Sequence, residues 1–363
     1  MKKIIILLLT SFGGNLSVPA QTPESMVNKI ADHWLDLHNN FNEPSDVWGN
    51  YTLDLTLEAL LYYDKYTEDD LYTEVVLDVF EKRNIKPEDT INYRIQPFCS
   101  INFALGEITK DEDWHNGFIS ESYRMYNEAR KSPEGGILIK HQDKYRLLID
   151  YLQDYASRLA KTGYLKNDPQ LFKEAVKQFL IYEKLVRNDS TGLWSQGRGW
   201  CSDTTKLSEG AWSRGHGWLL RGIVTSMLYL PERYQEQLLS VLKRVASSLL
   251  KVQSDSGMYH ILLNQEPDKS APDVSGTGMI AYYMAIAIKN NWLSSDNFKP
   301  SVKKATTALK DYISKEGEIL SSSKGPGPLC EQNEYVNYTP EIDEKHGFQG
   351  AVYGMIAEIL INE

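Results

Sequence analysis

The chain has 363 residues, 42% of them hydrophobic and 24% charged, with 49 acidic against 39 basic side chains and a formal net charge of −10. That balance makes it a poor generic binder of nucleic acid or anionic membrane, so an acidic ligand must be met by local positive charge. Cys99, Cys201 and Cys330 are odd in number and widely spaced, with no metal-ligand pattern; at most one disulfide can form, and buried free thiols are expected.

The first twenty residues read as a bacterial-type secretory signal. Lys2 and Lys3 form a basic start, Ile4 to Leu9 a short apolar core, and Val18-Pro19-Ala20 a small-residue cleavage site. The apolar run is too short to span a bilayer. The expectation is a periplasmic or secreted protein whose residues 21–363 form one catalytic domain, with no membrane insertion.

From there the 3.6-residue period predicts about twelve helices and no convincing strand set. Their spans are 24–40, 52–66, 71–84, 97–109, 115–131, 147–163, 170–188, 214–229, 234–253, 276–290, 298–315 and 346–362. Helix 298–315 is amphipathic, through Phe298, Val302, Ala305, Leu309 and Tyr312. Helix 276–290 is apolar all round and must be buried on every side. The connections alternate as well, with long ones before every even-numbered helix. Six amphipathic helices alternating with six buried ones predict an all-α (α/α)6 barrel, with the buried helices inside. An open helical solenoid is the other arrangement of such pairs, but no fixed-period repeat is present.

In that barrel the long connections gather on one rim, around the N-terminal ends of the inner helices. Six positive helix ends there favour an anionic ligand. The rim collects Trp48, Arg94, His141, Asp143, Gln196, Trp212, Arg214, His260, Asp273, Asp343 and His346. Aromatic side chains among mixed charge suit carbohydrate better than lipid or nucleotide.

The densest chemistry is Ala211-Trp-Ser-Arg-Gly-His-Gly-Trp218, at the head of the apolar run Leu219 to Leu230. Arg214 offers a rigid fork of donors suited to a carboxylate. Trp212 and Trp218 offer indole faces to a sugar ring, and the glycines are expected to leave access open. The Gly-x-Gly here is not a dinucleotide fingerprint, because no strand precedes it.

Trp212-Ser-Arg-Gly-His-Gly-Trp218 with a Leu-Pro some twelve residues later resembles the unsaturated uronyl hydrolases of glycoside hydrolase families 88 and 105. Thr191-Gly-Leu-Trp194, Val274-Ser-Gly-Thr-Gly-Met279 and His346-Gly-Phe-Gln-Gly350 resemble further stretches of these families in the same order. The resemblance implies the (α/α)6 barrel. It also implies removal of the 4,5-unsaturated uronic acid that polysaccharide lyases leave at a non-reducing end. The substrate is thus an unsaturated uronyl oligosaccharide, and no metal or organic cofactor is implied. One Asp protonates the vinyl ether and then activates water, one carboxyl group serving as acid and base. Arg214 would bind the uronate carboxylate, and Trp212 and Trp218 would line the sugar subsite. The implied acid position falls near Leu147, which is not acidic. Asp150 lies about one turn later and Asp143 about one turn earlier; Asp150 is favoured, in the apolar first turn of its helix. His216 stands where the family often has Asn, and Gln196 where it has His. A second family Asp has no clear counterpart, and the aligned stretch offers Arg94 instead. Trp48, Arg94, Gln196, His216 and His346 complete the expected substrate contacts.

Three other readings fit the same barrel. An inverting glycosidase needs two carboxylates roughly 6.5–9.5 Å apart, from Asp150 with Asp273 or Asp343. A sugar 2-epimerase would use paired rim histidines such as His216 and His346. A non-catalytic glycan-binding protein would tolerate loss of its aspartates.

Overall fold

The computed structural model describes residues 22–38, 51–82, 86, 100–139, 145–337 and 343–363. The secretory-type start, Cys99, Trp48, Arg94, His141 and Asp143 lie outside them. Thirteen α-helices are present among the described residues. The outer set is α1 (Pro23–Leu37), α3 (Leu71–Lys82), α5 (Glu112–Glu128), α7 (Pro169–Val186), α9 (Glu232–Leu250) and α11 (Ser295–Leu309). The inner set is α2 (Tyr51–Thr67), α4 (Ile101–Thr109), α6 (Ile149–Lys166), α8 (Ser213–Tyr229), α10 (Val274–Lys289) and α13 (Phe348–Asn362). The short α12 (Gln332–Asn337) sits in the last long connection, read from sequence as loop.

The two sets differ as the composition requires. Helix α9 buries one stripe, including Tyr234, Leu238, Val241, Leu242, Val245 and Leu249, and exposes residues such as Glu236, Gln237, Lys243 and Arg244 on its other side. Helix α10 is buried continuously from Val274 to Ala287, so it must be enclosed by other helices. Inner helices pack on their neighbours in sequence: α6 on α8, α8 on α10, α10 on α13, α13 on α2 and α2 on α4. The last inner helix thereby meets the first. Outer helices cover this ring, α7 on α6, α9 on α8, α11 on α10 and α13, and α1 on α13. The architecture is the (α/α)6 barrel.

The glycines of the inner-helix motifs serve this packing. A Cβ on Gly278 of α10 would lie 1.7 Å from the carbonyl oxygen of Gly350 on α13, so the two backbones touch there. A Cβ on Gly215 would meet Ile149 at 2.8 Å, and one on Gly217 would meet Met279 at 2.7 Å. Gly215 and Gly217 therefore bring helices together. They do not clear a path to the site, which corrects the sequence-based reading.

Two further findings differ from expectation. A two-residue ladder pairs β1 (Leu147–Leu148) with β2 (Gly197–Arg198), tying the entry of α6 to the connection before α8. Cys201 and Cys330 form a disulfide across 129 residues, with Cα atoms 5.5 Å apart. The expectation of free thiols fails at these two positions, because the fold brings the connections before α8 and α13 side by side.

Candidate active site

Each inner helix places a polar side chain at one equivalent position, the second residue of its first turn. Around the ring these are Thr52, Asn102, Asp150, Arg214, Ser275 and Gln349. All six are buried, at the mouth where the N-terminal ends of the six inner helices converge. The sequence reasoning selected Asp150 and Arg214 from this set and missed the other four. The missing signal was positional: one step in from the cap of every buried helix.

Asp150 enters at a fixed point because the Ile149 N–H donates to the Gln196 carbonyl (3.1 Å), just beyond the β1–β2 ladder. Its Oδ1 is buried without a hydrogen-bond partner. Burial raises its carboxyl to about 7, against the lowering pull of the Arg214 guanidinium. A carboxyl group that titrates near pH 7 and lies close to a cation can give up and take back a proton.

Arg214 is held from three sides. Its guanidinium stacks over the Trp212 ring at 4.4 Å. Its Nη1 donates to Ser275 Oγ (3.0 Å) and to the Ser323 carbonyl. Asp273 supports that contact: Ser275 Oγ (2.6 Å) and Ser213 Oγ (2.7 Å) donate to its two carboxylate oxygens. Arg214 Nε and Nη2 remain buried without acceptors. Arg214 lines a small cavity shared with Thr52, Trp218, Lys345, His346 and Gln349. Two unmatched donors on a fixed cation form a receptor for an anion.

Other candidates take different places. His216 is fully buried, its Nδ1–H donating to the Trp212 carbonyl (2.8 Å) while its Nε2 accepts from Trp194 N–H (3.0 Å). With both nitrogens spent on backbone, and burial holding its imidazole down at about 4, it is a neutral strut. It is neither a substrate contact nor half of an epimerase pair. Gln196 is buried and accepts from the Tyr335 hydroxyl (3.3 Å); it supports the start of α6 and does not line the Arg214 cavity. Trp218 and His346 do line it. His346 Nδ1 lies 3.0 Å from Asp343 Oδ2. Burial, with Arg214 near by, lowers the imidazole to about 4. Asp273 caps α10 with both oxygens occupied, which removes it as the second carboxylate of an inverting pair. Among the described residues no cluster of His, Cys, Asp and Glu is placed to hold a metal ion, and no helix is long and apolar enough to cross a membrane.

Comparison with known proteins bears on the family and the fold. The family model for Glycosyl Hydrolase Family 88 matches residues 22–360. An unsaturated 3S-rhamnoglycuronyl hydrolase of Formosa agariphila is 30% identical over 134 residues, 36% of this chain and 31% of that protein. One from Alteromonas sp. is 26% identical over 180 residues, 48% of this chain and 37% of that protein. The chain thus spans about a third of the length of the curated relatives it matches. A family 105 glycoside hydrolase from C. acetobutylicum superposes with a TM-score of 0.73 at 20% identity, covering 92% of this chain and 99% of that one. The unsaturated glucuronyl hydrolase of Bacillus sp. GL1 does so with a TM-score of 0.66 at 18% identity, covering 93% and 95%. At those identities the two solved structures speak for the fold.

Proposed function

The chain belongs to glycosyl hydrolase family 88, and on that premise we propose that it removes a 4,5-unsaturated uronic acid from the non-reducing end of lyase-generated oligosaccharides. One observation carries the reading. Asp150 and Arg214 occupy the same first-turn position on adjacent inner helices, the acid still partly protonated near pH 7 and the cation holding two buried donors without acceptors.

In this mechanism Arg214 binds the uronate carboxylate and fixes the ring over Asp150. The protonated Asp150 gives its proton to C4 of the C4=C5 vinyl ether. The resulting carboxylate takes a proton from water as the oxygen adds to C5. The C5 hemiketal opens, and the uronyl unit separates from the remaining sugar. The proton taken from water has already restored Asp150 to its acid form, so one carboxyl group closes the cycle. Trp212 buttresses Arg214, and Trp218 offers its indole edge to the sugar. The same reading makes the protein an exported one; the Cys201–Cys330 disulfide supports an oxidising compartment.

The test is the ultraviolet absorbance of the conjugated enol ether on a panel of lyase-made unsaturated disaccharides. The wild type is expected to bleach it, and Asp150→Asn to slow bleaching by about a hundred- to ten-thousand-fold while still binding. Loss in Asp143→Asn with Asp150→Asn active reassigns the acid to Asp143. No bleaching by the wild type on any unsaturated disaccharide, with turnover of a saturated one, overturns the hydration reading.

A further inference from the structure

The cavity beside Arg214 has a donor surplus that the mechanism above uses only in part. On the α13 side, Gln349 Nε2 is buried without an acceptor, as Arg214 Nε and Nη2 are on the α8 side. Lys345 adds a second cation at the rim, and no carboxylate is among the described residues that line the cavity. A buried N–H with no acceptor costs about 1–3 kcal/mol, so three on two residues that line one small cavity mark a missing acceptor.

Gln349 is also fixed in place. The residue after it, Gly350, packs so closely on α10 that a Cβ there would lie 2.5 Å from Ser275 Cα. The first turn of α13 therefore has no room to swing away. Ser275 stands between Gln349 and Arg214 around the ring, and its short side chain is occupied with Asp273 and Arg214. In a six-helix ring α13 is three steps from α6, so Gln349 faces Asp150 across the mouth. A carboxylate has about four acceptor sites on two oxygens, which matches donors arriving from two sides.

We propose that Gln349 is a specificity-determining residue: its side-chain amide and the Arg214 guanidinium, one from α13 and one from α8, grip one carboxylate of the substrate. This selects an acidic sugar over its neutral counterpart. The inference rests on the uronyl reading above and adds to it a residue to which the sequence had given no role.

The test measures binding by calorimetry in an Asp150→Asn background, with an unsaturated uronyl disaccharide and its uronyl methyl ester as the paired probes. With Gln349 intact, the free acid is expected to bind more tightly than the ester. Gln349→Met is expected to shrink that preference about tenfold or more, the scale of a hydrogen bond to a charged group, with ester affinity little changed. Gln349→Glu keeps the shape, places a negative charge against the carboxylate and is expected to reverse the preference; it decides the matter if the Met variant fails to fold. An undiminished preference in either folded variant overturns the role of Gln349 and leaves the uronyl reading standing. No preference with Gln349 intact overturns both.

Discussion

Asp150 shows how position sets chemistry. An aspartate in water titrates near 4, whereas burial beneath the barrel mouth raises this one to about 7. The folded state therefore holds a proton that the unfolded chain releases between those values. The stability this contributes is fully present below about pH 4 and is lost as pH rises through about 7. Asp150→Asn removes that loss. Above pH 7 the variant is expected to be more stable than the wild type by up to about 4 kcal/mol, and near pH 4 the gap should close. Denaturant unfolding at the two pH values measures it, and an equal gap at both contradicts the assignment. The proposed chemistry carries the same sign: kcat/KM falls above about pH 7, where the acid is no longer protonated. His216 is the counterexample at this scale. Its neighbours in sequence mark it as part of the site, yet its ring is consumed by two backbone groups. Sequence distance alone does not tell a side chain that faces the mouth from one that faces the loop behind it.

At the scale of elements, the connection between α11 and α13 acts as a strap. Its Ser323 carbonyl accepts from Arg214, Gly325 lies against Trp212 and Arg214, and the Leu329 carbonyl accepts from Glu209 N–H (3.1 Å). Cys330 then locks it to Cys201. Cutting that link by Cys201→Ser with Cys330→Ser is expected to cost about 2–5 kcal/mol of stability. It is also expected to raise KM more than it lowers kcat, because the strap holds Arg214 and does not touch Asp150. Thermal unfolding and steady-state kinetics of the double variant test this; unchanged KM contradicts a positioning role for the strap. The strap itself was not legible. Its segment 316–337 has neither helical period nor strand alternation, and its partners lie in other connections.

The whole ring rests on a floor of buried charge. Below Asp150, Asp154 pairs with Arg158 at 3.3 Å, and Arg221 of α8 reaches Glu58 of α2 at 2.7 Å, with Glu58 fully buried. Arg221 also lies under the Trp218 ring at 5.7 Å. This pair spans the centre of the barrel between helices distant in sequence. Arg221→Met leaves Glu58 buried without its partner and is expected to cost about 3–5 kcal/mol. Glu58→Gln added to it should recover part of that loss. Denaturant unfolding of the two variants decides, and a double variant less stable than the single argues against an ion pair that matters as a pair.

The amino-acid sequence alone determined the layer each helix belongs to, because a helix apolar all round has no stable place except inside others. It also determined the rim, because long connections precede each buried helix, and it marked Arg214 and Asp150 there. Tertiary structure decided which side chains meet. Thr52, Ser275 and Gln349 are ordinary residues in separate motifs, and only ring closure, with α13 against both α10 and α2, brings them round one mouth. The Cys201–Cys330 pairing and the buried Glu58–Arg221 contact arise in the same way. They join positions 129 and 163 residues apart, and no local period records a contact at that range.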